Sequence, residues 1–200
     1  MKKTLLSLSA VAFVALGAII ACNSDKKSSA NNEGMLAGAP EVPTEAELIS
    51  RGRYLVTIMG CNECHTPKIM TAQGPVPDSA HLLSGHPAKL PIAKIDAEAL
   101  KSWTLFSPSL TAFAGPWGVS YSANISSDES GIGNWTEEQF FRAIREGKYK
   151  GMANGRTLLP PMPWTEFRNA TDDDLSAIFH YLKSTPPTYN VVPAAAPPAN

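Results

Sequence analysis

The sequence predicts a helical domain made of three capped helices, with one long aperiodic stretch between the first and the second. Three observations carry that reading. Helix-start signatures precede each periodic segment, apolar residues recur within each segment at three- and four-residue spacing, and the first segment runs directly into Cys61-Asn62-Glu63-Cys64-His65.

The first helix is announced by Thr44-Glu45-Ala46-Glu47, a capping box placed after Pro43. It is expected to run to Met59 and stop at Gly60, with Leu48, Tyr54, Leu55 and Ile58 on its apolar side. Gly52 leaves a flat spot on it, where a second helix can cross closely. The next helix starts at Thr136-Glu137-Glu138-Gln139, again a capping box, and carries Phe140, Phe141 and Ile144 before Gly147 closes it. The last starts at Thr171-Asp172-Asp173-Asp174, where carboxylates complement the positive end of the helix dipole. Leu175, Ile178, Phe179 and Leu182 form its stripe, and it ends near Ser184, before Pro186-Pro187. Between Thr66 and Ser130, Pro, Gly, Ser and Ala dominate and periodicity fades. The stretch from His81 to Pro87 reads as a loop over a cofactor edge, Asp96 to Leu105 as a short helix, and Ala114 to Gly118 as a turn.

Two thiols separated by two residues, with a His directly after the second, are what covalent attachment of a c-type haem requires. Cys61 and Cys64 then form thioethers to the porphyrin and His65 is the proximal iron ligand. Zinc would need a fourth ligand from a second Cys or His pair, and none follows at close spacing. A redox dithiol usually opens a helix after a hydrophobic strand, whereas here a helix precedes the pair. An acceptor for the His65 ring N–H is expected from a carbonyl soon after the motif, that of Pro67.

The amino terminus supports this reading independently. Met1-Lys2-Lys3 precedes an apolar run from Leu5 to Ile20 that ends in Ala21-Cys22, the order of a secretory signal over residues 1–21. Ile19-Ile20-Ala21-Cys22 resembles a lipobox, which makes Cys22 the expected lipidation site and the chain an exported protein anchored on the periplasmic side of a bacterial membrane. The other reading of Cys22 is a plain signal residue, with cleavage nearby and release of the chain. Residues 22–43 read as a flexible tether, 44–190 as the domain and 191–200, rich in Pro and Ala, as a disordered tail. With Cys22 lipidated and the other two cysteines on haem, none of the three cysteines is left for a disulfide. Removing Lys2 and Lys3 from 17 basic against 18 acidic side chains leaves a weakly negative balance, and nothing points to nucleic acid.

The distal ligand is expected in Leu159-Pro160-Pro161-Met162-Pro163-Trp164, where three prolines stiffen the backbone around one thioether. Met162 is therefore the sixth ligand of this reading. His81 and His86 are the open alternatives, which would give a bis-imidazole haem of lower potential; His180 reads as a surface residue. Met59, Met70 and Met152 are placed less favourably. Trp117, Trp135 and Trp164 either line the ring or pack the core, and Arg156 either pairs a propionate or lies on the surface.

The order of helix, Cys-x-x-Cys-His, long loop, helix, Pro-Pro-Met-Pro-Trp loop and terminal helix resembles monohaem class I cytochromes c of the bacterial periplasm. Gly52-Arg53-Tyr54-Leu55, Asn124-Ile125 with Asp128, Gly131 to Trp135 and Leu159 to Trp164 sharpen the likeness to the haem modules of periplasmic dehydrogenase cytochrome subunits. That resemblance implies an all-α haem-binding domain in which the first and last helices cross, with Gly52 meeting Phe179 or Tyr181. It implies an electron carrier rather than an enzyme, holding one haem c and exchanging electrons with a dehydrogenase, an oxidase or another cytochrome. Two other readings stay open: a haem enzyme or gas or peroxide sensor with a labile Met162, and a haem subunit that docks to a larger dehydrogenase or oxidase. The segment 68–113 is longer than a minimal domain of this kind needs.

Overall fold

The computed structural model describes residues 42–198. The expected signal sequence, Cys22 and the tether up to residue 41 lie outside the described residues. In chain order the elements are α1 (Glu45–Ile58), α2 (Cys61–His65), β1 (Lys68–Thr71), β2 (Gly74–Pro77), β3 (Leu105–Phe106), β4 (Ala112–Gly115), β5 (Gly118–Tyr121), α3 (Glu137–Arg145), α4 (Trp164–Phe167) and α5 (Asp172–Ser184).

The three long helices begin and end where local chemistry places them. Thr44 and Thr136 each accept a hydrogen bond from the backbone of the third helical residue, Glu47 or Gln139, whose side chain returns a bond to the cap N–H. Thr171 caps α5 by accepting from Asp174 N–H at 3.1 Å. Each bond satisfies a backbone donor that has no partner within the helix. Gly60 and Gly147, at φ +70° and +64°, turn the chain away after α1 and α3, a left-handed backbone that favours glycine.

The α1–α5 crossing is the centre of the domain. The buried side of α1 is Gly52, Leu55 and Val56; Tyr54 and Ile58, expected on the apolar stripe, are exposed. Gly52 sets the contact line, because a Cβ there would sit 1.9 Å from the Ala177 carbonyl oxygen and 2.6 Å from Tyr181 Cβ. The crossing partners are thus Ala177 and Tyr181, not Phe179. Phe179 turns instead to Phe140 of α3, with ring centroids 5.6 Å apart. Leu175, Ile178 and Leu182 complete the α5 contribution to the core, and Leu83 and Ile132 enter it from the long connections. Burying each such side chain is worth about 1.5–3 kcal/mol. Arg51–Asp174 (2.9 Å) and His180–Glu45 (2.7 Å) bridge the same two helices at the surface and add little.

The fold is mainly helical but not all-α, which corrects the expectation. β1 and β2 form an antiparallel hairpin with Thr71 opposite Gly74, and β3–β4–β5 form a small antiparallel sheet with Leu105 opposite Ala114 and Ala112 opposite Tyr121. All four residues of β4 are buried, so it lacks the polar alternation by which a strand is usually read. The expected helix from 96 to 105 reduces to a single 3-10 turn, Ala99–Lys101, because Leu105 and Phe106 are drawn into pairing with β4.

Nor is the expected disordered tail seen over the described part of residues 191–200. β5 is an edge strand, and Ala196 bridges it: Val119 N–H donates to Ala196 O (2.8 Å) and Ala196 N–H to Val119 O (3.0 Å). Upstream, the Asn190 amide donates to the Ser84 and His86 carbonyls (2.7 and 2.8 Å) and accepts from Ala88 N–H (2.9 Å). A Pro-rich segment makes no helix, yet the N–H and C=O of Ala196 suffice to bridge an open edge.

Gly52→Ala tests the crossing. At an open helical site the change gains up to about 1 kcal/mol, but here overpacking against α5 is expected to outweigh that gain and lower stability by about 1–3 kcal/mol. Thermal or urea unfolding measures the difference, and an equal or higher midpoint would disprove the close contact.

Candidate functional site

α2 is short, and it begins only because Gly60 reverses the backbone after the Met59 cap of α1. Its i, i+3 spacing places Cys61 and Cys64 on one side. Neither is paired in a disulfide, and both are partly buried. Burial pushes the Cys61 thiol up to about 11 and raises that of Cys64 as well. A redox dithiol needs a depressed thiol, so this environment does not fit that role. Zinc fares no better, since among the described residues no group of three or more His, Cys, Asp or Glu side chains is arranged to hold a metal ion.

His65 is fixed by two distant segments. Its Nδ1 lies 2.8 Å from the Ala123 carbonyl, which can only accept, so Nδ1 carries the proton and Nε2 is left with its lone pair. Burial of the ring holds its pKa below the usual histidine range, against the opposing pull of the Ala123 bond, and so keeps the neutral form. The acceptor is therefore Ala123 and not Pro67, whose carbonyl takes the Asp78 N–H instead (2.8 Å). The His65 backbone carbonyl accepts from Gly85 N–H at 2.7 Å. Next to it, the buried Thr66 hydroxyl donates to Asn62 Oδ1 (3.1 Å) and accepts from Leu83 N–H (3.0 Å). The 81–87 segment buries Leu83, Ser84 and His86 and braces the motif through Leu83 N–H to Thr66 and Gly85 N–H to His65.

The Met162 loop hangs on the β3–β4–β5 sheet. Ser120 Oγ in β5 donates to the Pro160 carbonyl (2.6 Å) and accepts from Trp117 Nε1 (3.1 Å), while Leu158 N–H donates to the Gly147 carbonyl behind α3 (2.7 Å). Met162 N–H closes back onto Leu159 O at 3.3 Å, Pro160–Pro161 is cis, and Trp164 packs against Gly147. Ser120 and Ala123, three residues apart, thus hold the Met loop and the His65 ring respectively. His65 and Met162 come close together as a result.

The rival histidines are engaged elsewhere. His86 is buried, with Nδ1 2.9 Å from Thr111 Oγ1 and Nε2 donating to the Leu90 carbonyl at 3.2 Å, so neither ring nitrogen is spare. His81 bonds Asp78 (2.6 Å), whose carboxyl it holds below the usual range, and His180 bonds Glu45. Met70 and Met152 are exposed, and Met59 packs on the core. Arg156 stacks 4.1 Å above the Tyr149 ring and donates to Thr157 O, and Trp135 packs against the core. Sequence reasoning missed Ala123, Thr66 and Ser120. The first acts through its backbone, and the other two are small hydroxyl residues in segments without periodicity.

Two unpaired thiols one helical turn apart and an imidazole with its Nδ1 tied and its Nε2 free fit a covalent haem. No family model matches the chain. Over 136 residues, 68% of this chain, it is 32% identical to the cytochrome c subunit of a quinone alcohol dehydrogenase from Gluconobacter oxydans, of which the match covers 21%. It is 30% identical over 148 residues, 72% of this chain, to a fructose dehydrogenase cytochrome subunit from Gluconobacter japonicus, of which 23% is covered. A stretch of 80 residues, 40% of this chain, is 45% identical to 6% of a nicotinate dehydrogenase subunit from Pseudomonas putida. The chain thus spans less than a quarter of the length of these relatives.

Ser120→Ala would leave the Trp117 indole N–H without its acceptor and the Pro160 carbonyl without its donor. A loss of about 1–3 kcal/mol is expected in chemical unfolding. An unchanged unfolding midpoint would show that Ser120 does not secure the Met loop.

Proposed function

Because the chain is a c-type cytochrome domain similar to dehydrogenase cytochrome c subunits, and carries one covalently bound haem c, we propose that it is a one-electron carrier serving such an enzyme. Cys61 and Cys64 are its thioether anchors, His65 the proximal ligand and Met162 the distal one. The observation that carries this reading is the His65–Ala123 hydrogen bond, which leaves Nε2 as the free donor and fixes the ring plane. When bound, haem supplies a reversible one-electron change without any substrate bond being made or broken.

The protein's part is to hold both ligands still. The Ala123 carbonyl, by accepting from Nδ1–H, makes the imidazole more electron-rich and sets its orientation. Ser120 and Gly147 fix the chain ahead of Met162, at Pro160 and Leu158, and Trp164 packs against Gly147 just after it, so that the thioether stays in place with little entropy lost on ligation. With an imidazole on one side and a thioether on the other, no position is left for a substrate. This favours a carrier over a sensor with a labile Met162. A Met ligand also gives a higher potential than a second His, which suits a module that accepts electrons.

The location follows from the amino terminus: Cys22 is proposed as a lipid anchor on the periplasmic side of the membrane, with residues 22–43 as the tether. Among the described residues no helix is long and apolar enough to cross a membrane. The proposed partner is a periplasmic dehydrogenase, an assignment that rests on the named relatives and on the carrier chemistry.

Met162→Ala is expected to keep haem covalently attached while the near-infrared sulfur-to-iron charge-transfer band disappears, carbon monoxide binds readily and the potential falls. Retention of the wild-type spectrum would remove Met162 as ligand. Cys22→Ala is expected to move the protein from the membrane to the soluble fraction of fractionated cells, and persistent membrane attachment would rule out the lipid anchor.

A further inference from the structure

One ammonium faces the carbonyl end of α2. Lys68 opens β1, three residues beyond His65, and its Nζ donates to the backbone carbonyls of Asn62 (3.1 Å), Glu63 (2.8 Å) and Thr66 (2.8 Å). All three partners are acceptors only, and a neutral amine has just two N–H bonds, so the group that makes these contacts is the charged form. Asn62 and Glu63 are the two residues between Cys61 and Cys64. The lysine therefore grips the backbone of the haem-attachment turn itself.

Elementary electrostatics gives that grip two consequences. The last carbonyls of a helix are its negative end, and a cation there stabilises a helix too short to hold on its own propensity. Lys68 is half-buried, so its charge is less screened than that of a surface lysine. A fixed positive charge beside a redox centre disfavours the state with the extra positive charge, here the ferric one. Resting on the covalent-haem reading above, we propose that Lys68 is a positioning residue that clamps the Cys61–His65 turn and raises the reduction potential of the haem it carries.

Its neighbours explain why the lysine stays in place. β1 is paired with β2 from Lys68 opposite Pro77, and the Asp78 N–H bond to the Pro67 carbonyl closes the base of the hairpin. The β1–β2 hairpin thereby gains a role in the site, although most of its residues are exposed. It is the frame that returns the ammonium onto α2.

The test uses full-length, haem-loaded protein with Lys68→Met and Lys68→Arg, measuring covalent haem by the reduced-pyridine assay and potential by spectroelectrochemical titration. Lys68→Met is expected to keep haem and shift the ferrous-to-ferric ratio at fixed potential about three- to tenfold toward ferric, a rough figure for one half-buried unit charge. A tenfold shift corresponds to about 59 mV for one electron. Lys68→Arg keeps the charge and is expected to stay within about twofold of wild type on the same scale. If Lys68→Met loads too little haem to titrate, Lys68→Gln is read in its place with the same expected fall. An unchanged potential in the loaded neutral variant, or an equal fall in Lys68→Arg, would overturn the proposal. Wild-type protein without covalent haem would instead overturn the carrier reading on which it rests.

Discussion

The hydrogen bond from His65 Nδ1 to the Ala123 carbonyl joins two parts of the chain that are 58 residues apart, and most of the site depends on it. It selects the tautomer, aims Nε2 and ties α2 to the end of β5. The same stretch carries Ser120, whose hydroxyl holds the Pro160 carbonyl and with it the approach of Met162. Ser120 on β5 and Ala123 just beyond its end thus hold two segments, around His65 and Met162, that lie almost a hundred residues apart in the chain.

The helical core supplies the ground against which that strand is held. α1 delivers the cysteine turn, and its contact with α5 through Gly52 is close enough that the two backbones position each other. Leu83 and Ile132 connect the long connections to this core. The Asn124 side-chain amide donates to the Thr188 carbonyl (2.8 Å) and Asn190 staples residues 84–88, so the segment after α5 straps the loops that contact His65. Among the described residues no cysteine pair is oxidised, and a covalently held porphyrin supplies the cross-link and apolar surface that a small domain otherwise gains from disulfides.

Much of this was legible in the sequence wherever the signal was local. Thr44 with Glu47, Thr136 with Gln139 and Thr171 with its acidic run act over three residues, so the bounds of α1, α3 and α5 could be read directly. The cysteine pair with His65 was legible for the same reason. β4 carries no alternation in the sequence because all its residues are buried, and Ala123 none because a backbone carbonyl leaves no mark on a sequence. The segment around Ala196 looked like tail because composition alone does not report that an edge strand nearby lacks a partner. Met162 was singled out by its flanking prolines, whereas the groups that hold it, Ser120 and the Gly147 carbonyl, emerged only from the fold.

The central claim is that a single iron sits between an imidazole and a thioether supplied by this chain. Iron K-edge X-ray absorption on the purified ferric protein tests it most directly. The account predicts one sulfur neighbour together with the porphyrin and imidazole nitrogens, and that sulfur should vanish from the spectrum in the Met162→Ala protein. A first shell containing nitrogen or oxygen alone in the wild type would contradict it.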